Sequence, residues 1–186
     1  MSSVSLWTRD IELTEEQRKA LVWRVPPKAN TGAAHASKEK ARALKASSEQ
    51  EAREQWEGLC QEPAFIFGLA LYVGEGRKGD DGNVSLANTD ARVLRTTLRF
   101  FKLCGIPQSR LRVFVQIPEG GHSPQEAMAY WSEELGLPLE QFVTPGKVPR
   151  RKKGNKYPDG VCSIRVGARD VKHKLNVWMD LALNTY

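Results

Sequence analysis

Apolar residues recur along the chain with the spacings of helices and strands. Residues 65–74 form a nearly continuous apolar stretch that follows Pro63, a residue favoured in the first turn of a helix, and this predicts a helix. Over 110–117 and 161–166 every second residue is apolar and most of the residues between them are polar, which predicts two half-buried strands. The pattern therefore predicts a domain that mixes helices and strands.

Capping and turn signals place further elements. Asp90 precedes a stretch with apolar residues on one helical face, and Ser123-Pro124-Gln125-Glu126 is a capping box with proline at the first helical position. Shorter strands are predicted over 84–87 and 141–144, and a closing helix over 169–183. Residues 61–186 are thus predicted to form one α+β domain.

Residues 1–60 differ from the rest of the chain. Thr14-Glu15-Glu16-Gln17 has the pattern of a capping box and opens a helical stretch that Pro26-Pro27 stops. Residues 33–59 are rich in Ala, Lys, Glu and Arg, which predicts a solvated helix. We therefore expect a helical N-terminal arm, residues 1–60, whose basic residues form a solvated face or, as the alternative, contact phosphates.

Composition excludes several classes of protein. Of the 186 residues 40% are hydrophobic and 27% charged, as in a globular protein. The longest apolar run, residues 64–73, is about half of the roughly 20 residues that span a bilayer, and no secretory signal precedes the domain. The sequence contains three widely spaced cysteines, which favours reduced thiols. These features predict a cytoplasmic protein with no membrane partner.

The net charge of +6 favours a polyanionic partner, and nucleic acid is favoured over an anionic membrane. The alternative is that the basic character reflects no particular partner. A basic loop is predicted between the last two strands, where it either grips phosphates or is simply solvated. Its cations are Lys147, Arg150, Arg151, Lys152, Lys153 and Lys156.

The apolar helix of residues 67–76 ends in a single carboxylate, Glu75, followed by Gly76. Ala70 and Gly74 are four residues apart and share a face on which another backbone can approach closely. Two such helices packed together bring two Glu75 carboxylates side by side, an arrangement suited to Mg²⁺ and to phosphodiester hydrolysis. Alternatively, Glu75 is a solvated residue at a helix end.

This segment resembles the helix of the LAGLIDADG homing endonuclease family. Glu75 stands at the place of the family's final acidic residue and Gly76 at its last glycine, while Ala70 and Gly74 match the small residues through which two helices pack. The order of predicted elements resembles the family's αββαββα layout, here with an extra helix. The resemblance covers roughly residues 60–183.

The chain is more similar to a bacterial and phage subgroup with a single motif. The segments 71–78 (LYVGEGRK), 85–90 (SLANTD), 130–132 (YWS) and 160–161 (GV) resemble the pattern of that subgroup. Residues 3–11 are similar to the tail of the recognition helix of a helix-turn-helix that often precedes such domains. The resemblance implies a nucleoid location or the cytoplasm of a phage-infected bacterium.

The resemblance implies a metal-dependent, site-specific endonuclease that cuts double-stranded DNA as a homodimer. Glu75 and Gly74 of each chain would hold Mg²⁺ or Mn²⁺, and Glu75 with Lys78 would be catalytic. The helix residues Phe67, Ala70, Leu71 and Gly74 would form the dimer interface. The DNA-binding set would be the basic loop together with Arg77, Arg110, Arg112, Gln116 and Arg165.

Part of this DNA surface also follows from the residues alone. Arg110, Arg112, Gln116 and Arg165 occupy the faces of their predicted strands opposite the apolar ones. Arginine and glutamine are suited to the guanine and adenine edges in the major groove. Two other functions stay open: a DNA-binding regulator or recombination accessory protein that does not cleave, and an RNA or protein adaptor that uses the basic loop.

Overall fold

The computed structural model describes residues 14–23, 31–79, 81–148 and 157–185. Its contacts divide the chain into two units, Met1–Ala43 and Leu44–Tyr186. The helices are α1 (Glu15–Trp23), α2 (Thr31–Leu59), α3 (Pro63–Glu75), α4 (Ala91–Leu103), α5 (Pro124–Leu135) and α6 (Arg169–Thr185). The strands are β1 (Asn83–Asn88), β2 (Arg112–Pro118), β3 (Phe142–Val148) and β4 (Val161–Gly167). None of the described helices has both the length and the apolar character needed to cross a bilayer.

In the first unit, α1 begins at the predicted capping box. The backbone N–H of Gln17 donates to Oγ1 of Thr14 at 3.3 Å, and the backbone N–H of Thr14 donates to Oε1 of Gln17 at 3.0 Å. These bonds satisfy two of the backbone donors that a helix start leaves free. The predicted stop at Pro26-Pro27 and the segment of residues 3–11 lie outside the described residues.

The helix predicted over residues 33–59 forms and is mostly exposed, as expected for a solvated helix, but one side of its second half is buried. Ala52 is fully buried, and Ser48, one turn earlier, is buried as well. These small residues let α6 approach closely enough for Nε1 of Trp178 to donate to the carbonyl of Ala52 at 2.9 Å. Residues 44–59 therefore belong with the α+β unit, while the predicted boundary after residue 60 stays a prediction.

The four strands form one mixed sheet with the order β1-β4-β2-β3. Strand β4 is antiparallel to β1 and β2, and β3 runs parallel to β2. The predicted α+β class is confirmed. The αββαββα layout has a further strand between α3 and β1. Among the described residues of that segment, Gly76 alone forms a bridge, to Leu86 of β1. From α3 onward the order of described elements is αβαβαββα.

One face of the sheet carries the core. In β2 and β4 the predicted inward residues are buried, among them Val113, Val115, Cys162 and Ile164. Helices α3, α4 and α6 contact β1, and α5 contacts β2 and β3. The predicted alternation is confirmed in β2, and in β4 it holds except at Ser163, which is buried although it lies on the opposite face. The other face of the sheet carries mainly polar side chains.

Two strand starts differ from the prediction. The sequence predicts that Arg110 and Gln141 begin strands, but each ends a short 3₁₀ turn, Gln108–Arg110 and Leu139–Gln141. The buried side chain of Gln141 holds the first turn in place, because its Nε2 donates to the carbonyls of Gln108 and Leu111 at 2.6 and 3.1 Å. Strand β2 therefore begins at Arg112, and β3 extends to Val148.

The helix caps agree with the sequence. The Asp90 carboxylate accepts a hydrogen bond from the backbone N–H of Arg92 at 2.8 Å, so it caps α4. Ser123 and Glu126 form a reciprocal capping box at the start of α5. Gly136 ends α5 with φ of 61°, a left-handed conformation that glycine adopts without strain.

Gly68 of α3 packs directly against Phe100 of α4. A Cβ atom at Gly68 would lie 2.7 Å from Cδ2 of Phe100, a fully buried ring in the core. We expect Gly68→Ala to lower the free energy of unfolding by about 1–3 kcal/mol, because overpacking outweighs the helix propensity that alanine adds. Urea denaturation measures the change. Gly58→Ala is the control, since a Cβ there meets no described atom within 4 Å; equal stability of the two variants would contradict this packing.

Candidate functional site

Helix α3 has one face in the core and one face exposed. Phe65, Leu69 and Tyr72 are buried, whereas Phe67 is 60% exposed. Ala70 and Gly74 are exposed on the same side as Phe67, and Leu71 is half-buried beside them. A Cβ at Gly74 would meet no atom of the described residues within 4 Å. The four residues predicted for a dimer interface thus share one accessible face, and their role in dimerisation stays a prediction.

The helix ends at Glu75, whose side chain is exposed. The backbone N–H of Gly76 donates to the carbonyl of Tyr72 at 2.9 Å and closes the last turn. The Glu75 carboxylate accepts no hydrogen bond from the part of the chain that the structure describes. Its two oxygens are therefore accessible to a ligand at the helix end.

Lys78 lies close to the same helix end but bonds to the backbone. Its ammonium group donates to the carbonyls of Tyr72 and Gly76, and it lies 5.0 Å from the centre of the Tyr72 ring. Burial lowers the pKa of Lys78, the neighbouring Lys172 lowers it further, and Glu75 acts in the opposite direction. In this conformation Lys78 neutralises the carbonyl end of α3, and its predicted catalytic role stays a prediction.

Lys172 is a site residue that sequence reasoning missed. It is only 2% exposed, and its ammonium group donates to the carbonyl of Arg77 at 2.6 Å and to the hydroxyl of Tyr72 at 3.3 Å. The Tyr72 hydroxyl donates to the same carbonyl at 2.8 Å, and burial raises the pKa of Tyr72 to about 12. Lys172 thereby fixes the segment that directly follows Glu75.

A signal for Lys172 was present in the sequence. Ala168 and Leu175 lie four residues before it and three after it, so the lysine occupies a position of the apolar stripe of α6. A lysine at such a position is rarely buried without partners. The presence of Lys172 on this stripe therefore indicates a buried ammonium group with hydrogen-bond acceptors nearby.

We expect Lys172→Met to lower the free energy of unfolding by about 1.5–3 kcal/mol, the usual worth of hydrogen bonds to a buried charged group. Methionine keeps most of the side-chain volume, so the loss reports the polar contacts. Chemical denaturation measures it. Lys102→Met, at an exposed position of α4, is the control and should change stability by no more than about 0.5 kcal/mol. An unchanged stability for Lys172→Met would show that the ammonium contacts contribute nothing.

The polar face of the sheet forms a cationic hollow. The hollow has a volume of about 340 Å³ and reaches the segment that follows α3, because Arg77 lines it. The backbone N–H of Arg77 donates to the carbonyl of Ser85 at 2.9 Å. Four arginines and a single aspartate line it: Arg77, Arg110, Arg112, Arg165 and Asp81. The excess of positive charge is suited to an anionic ligand.

Three of these arginines bind other groups of the protein. Arg77 donates to the carboxylate of Asp81 at 2.6 Å, and this hydrogen bond holds the pKa of Asp81 well below its usual range. Arg110 donates to the carbonyl of Gly167 at 2.6 Å. Arg112 donates through one Nη nitrogen to the carbonyls of Ser109 and Leu111 at 3.2 and 2.9 Å.

Arg165 is held in a different way. Its Nε donates to Oγ of Ser163 at 3.1 Å, and its guanidinium carbon lies 4.4 Å from the centre of the Phe114 ring. Gln116 is exposed further along β2 and lines an adjoining hollow of about 260 Å³, which Phe114 and Arg165 also line. Arg165 therefore stands between two hollows on the polar face of the sheet.

The basic loop is only partly within the described residues. Lys147 belongs to strand β3 rather than to a loop. Arg150, Arg151, Lys152, Lys153 and Lys156 lie outside the described residues, so their contribution stays a prediction.

The oxygen donors at the end of α3 are of the kind that Mg²⁺ prefers, but one chain has too few of them. Glu75 offers a carboxylate, and Gly74 lies in the last turn, where helix carbonyls lack intrahelical partners. Within the described ranges, no three His, Cys, Asp or Glu side chains are grouped closely enough to hold a metal ion. The donor set fits a divalent cation only if a second copy of the chain adds its own Glu75.

Comparison with known proteins gives no relative for this chain: no family model, no curated protein and no solved structure matches it. The helix end and the polar sheet face are therefore the features from which a function can be inferred.

Proposed function

We propose that the protein is a metal-dependent, site-specific endonuclease that cuts double-stranded DNA as a homodimer with a LAGLIDADG-like fold. One observation carries the proposal. The exposed apolar face of α3 ends at the accessible carboxylate of Glu75, and the next residues, Gly76 and Arg77, pair with β1 beside the cationic face of the sheet.

The dimer follows from the exposed face of α3. Pairing would remove the large apolar surface of Phe67 from contact with water. The small residues Ala70 and Gly74 would let two helix backbones approach closely. A symmetric interface of this kind uses the same face of both copies. It places the two Glu75 carboxylates at one end of the helix pair.

Two carboxylates at close range repel each other and also face the negative ends of their helices. A divalent cation removes both penalties, and the Glu75 carboxylates with the Gly74 carbonyls would hold it. When bound, Mg²⁺ supplies an activated water and stabilises charge on the scissile phosphate. Lys78 and Lys172 fix the backbone on either side of Arg77 and so keep the Glu75 carboxylate in position.

The sheet face supplies the DNA contacts in this proposal. Its arginines give salt-dependent attraction to phosphates, and the side chains that reach base edges give the sequence preference. Dimerisation would double the surface, so we expect a target with two related half-sites.

The test has two stages. Binding sites are first selected from a randomised library of duplex DNA, and the selected site is then cloned into a plasmid. A second plasmid carries the DNA that flanks the protein's own gene. We expect linearisation with Mg²⁺ or Mn²⁺ and none with EDTA. Failure to select any duplex DNA would refute the proposal.

A second function is favoured by the state of the helix end. Lys78 is engaged with backbone carbonyls, and one chain, in the part that is described, groups no metal ligands. Both features suit a DNA-binding regulator or recombination accessory protein that does not cleave. Selection of a clear site without metal-dependent cleavage would establish this function instead.

A further inference from the structure

The guanidinium groups on the sheet face are not equivalent. Arg77, Arg110 and Arg112 each use at least one Nη nitrogen on an oxygen atom of the protein. Arg165 uses only Nε, which donates to Ser163. Among the described residues, no acceptor takes a hydrogen bond from its Nη1 or Nη2. The outer edge of this guanidinium is therefore accessible to a ligand.

Two neighbours hold the Arg165 side chain in one orientation. Ser163 lies two residues earlier on the same face of β4 and is only 7% exposed, so its hydroxyl is a fixed acceptor. Phe114 is the residue directly opposite Ser163 on β2, and its ring supports the guanidinium from one side at 4.4 Å. A cation over an aromatic ring is attracted by the ring's quadrupole. The pair therefore restricts a side chain that is otherwise rich in rotamers.

A planar guanidinium with two accessible donors matches one base in the major groove better than the others. Guanine presents O6 and N7 as adjacent acceptors, and arginine binds both in a bidentate arrangement. A phosphate also accepts two hydrogen bonds, but it carries no sequence information. Phe114 and Ser163 hold the guanidinium in one orientation, so its two donors can distinguish one base from another. A mobile cation would instead bind any nearby phosphate. The restriction therefore favours contact with a base.

We propose that Arg165 is the specificity-determining residue of this surface and reads one guanine in each half-site, with Phe114 and Ser163 as its positioning residues. This inference rests on the proposed DNA-binding function and deepens it. Arg112, directly opposite Arg165 on β2, contributes charge but no base preference in this account, because its guanidinium also binds its own backbone.

The test compares Arg165→Lys with Arg99→Lys in selections from a randomised duplex library; Arg99 is an exposed residue of α4 outside the proposed DNA surface. Both variants keep the charge, so the salt dependence of binding should stay the same for both. We expect Arg165→Lys to lose roughly tenfold or more of the preference for guanine at one position of each half-site. Arg99→Lys should retain the motif. Phe114→Leu, which keeps an apolar side chain but removes the ring, should weaken the same preference.

The outcomes separate this inference from the function on which it rests. If the wild-type protein selects a motif and Arg165→Lys selects the same motif with every guanine retained, the assignment of Arg165 is wrong while DNA recognition stands. Binding to duplex DNA without base preference would also overturn it. If the wild-type protein binds no duplex DNA, the proposed function fails and this inference fails with it.

Discussion

Glu75→Gln should lower the rate of DNA cleavage at least about a thousandfold, because metal catalysis contributes several kcal/mol to the barrier and each 1.4 kcal/mol is tenfold in rate. Glutamine has nearly the same shape and removes the charge that holds the cation. The affinity for the selected DNA should change little, since the arginines of the sheet face are untouched. Single-turnover cleavage and a binding titration on the same DNA give the two quantities.

The matched control lies at the other end of the same helix. Glu62 precedes α3, is exposed, and its side chain makes no capping hydrogen bond. Glu62→Gln changes the net charge by the same amount and should leave cleavage intact. Cleavage that survives Glu75→Gln would remove Glu75 from the active site, and equal losses in both variants would point to a general effect of charge.

Glu75 also has a cost that stability measurements can detect. A carboxylate at the C-terminus of a helix opposes the helix dipole, an interaction of about 0.3–1 kcal/mol at the surface. Glu75→Gln is therefore not expected to destabilise the metal-free chain. This separates a loss of cleavage from a loss of folding.

The features that the sequence predicts well are those decided by neighbours in the chain. The caps at Thr14, Asp90 and Ser123 depend on residues two or three positions away, and all three form. The alternation in β2 and β4 is similarly local, because one face of each strand must be buried. These elements also place Arg112, Gln116 and Arg165 on the polar side.

The features that the sequence misses depend on distant partners. The turn at Arg110 is held by Gln141, and Ala52 is buried by Trp178, 126 residues away. No local pattern specifies either contact. The pairing of Arg165 with Phe114 likewise needs the register of β4 on β2, which places Phe114 opposite Ser163. The sequence thus identifies the candidate arginines. It does not show which of them donate hydrogen bonds to other groups of the protein through Nη nitrogens and which keep those donors accessible.

Gly74→Leu should convert the proposed dimer to a monomer, because the new side chains would separate the two helices. Overpacking costs about 1–3 kcal/mol at each copy and occurs twice by symmetry, so the dissociation constant should rise at least about thirtyfold. Cleavage should be lost with the dimer, because each metal site needs two Glu75 carboxylates.

The monomer itself has room for this change. A Cβ at Gly74 meets no described atom within 4 Å, and leucine favours a helix more than glycine does, so the chain should stay folded. Gly58→Leu is the matched control, because Gly58 is also a helical glycine with open space around its Cβ position. Sedimentation velocity and thermal unfolding of both variants measure assembly and folding separately. A Gly74→Leu protein that remains dimeric and active would place the dimer interface, and with it the shared carboxylate site, away from α3.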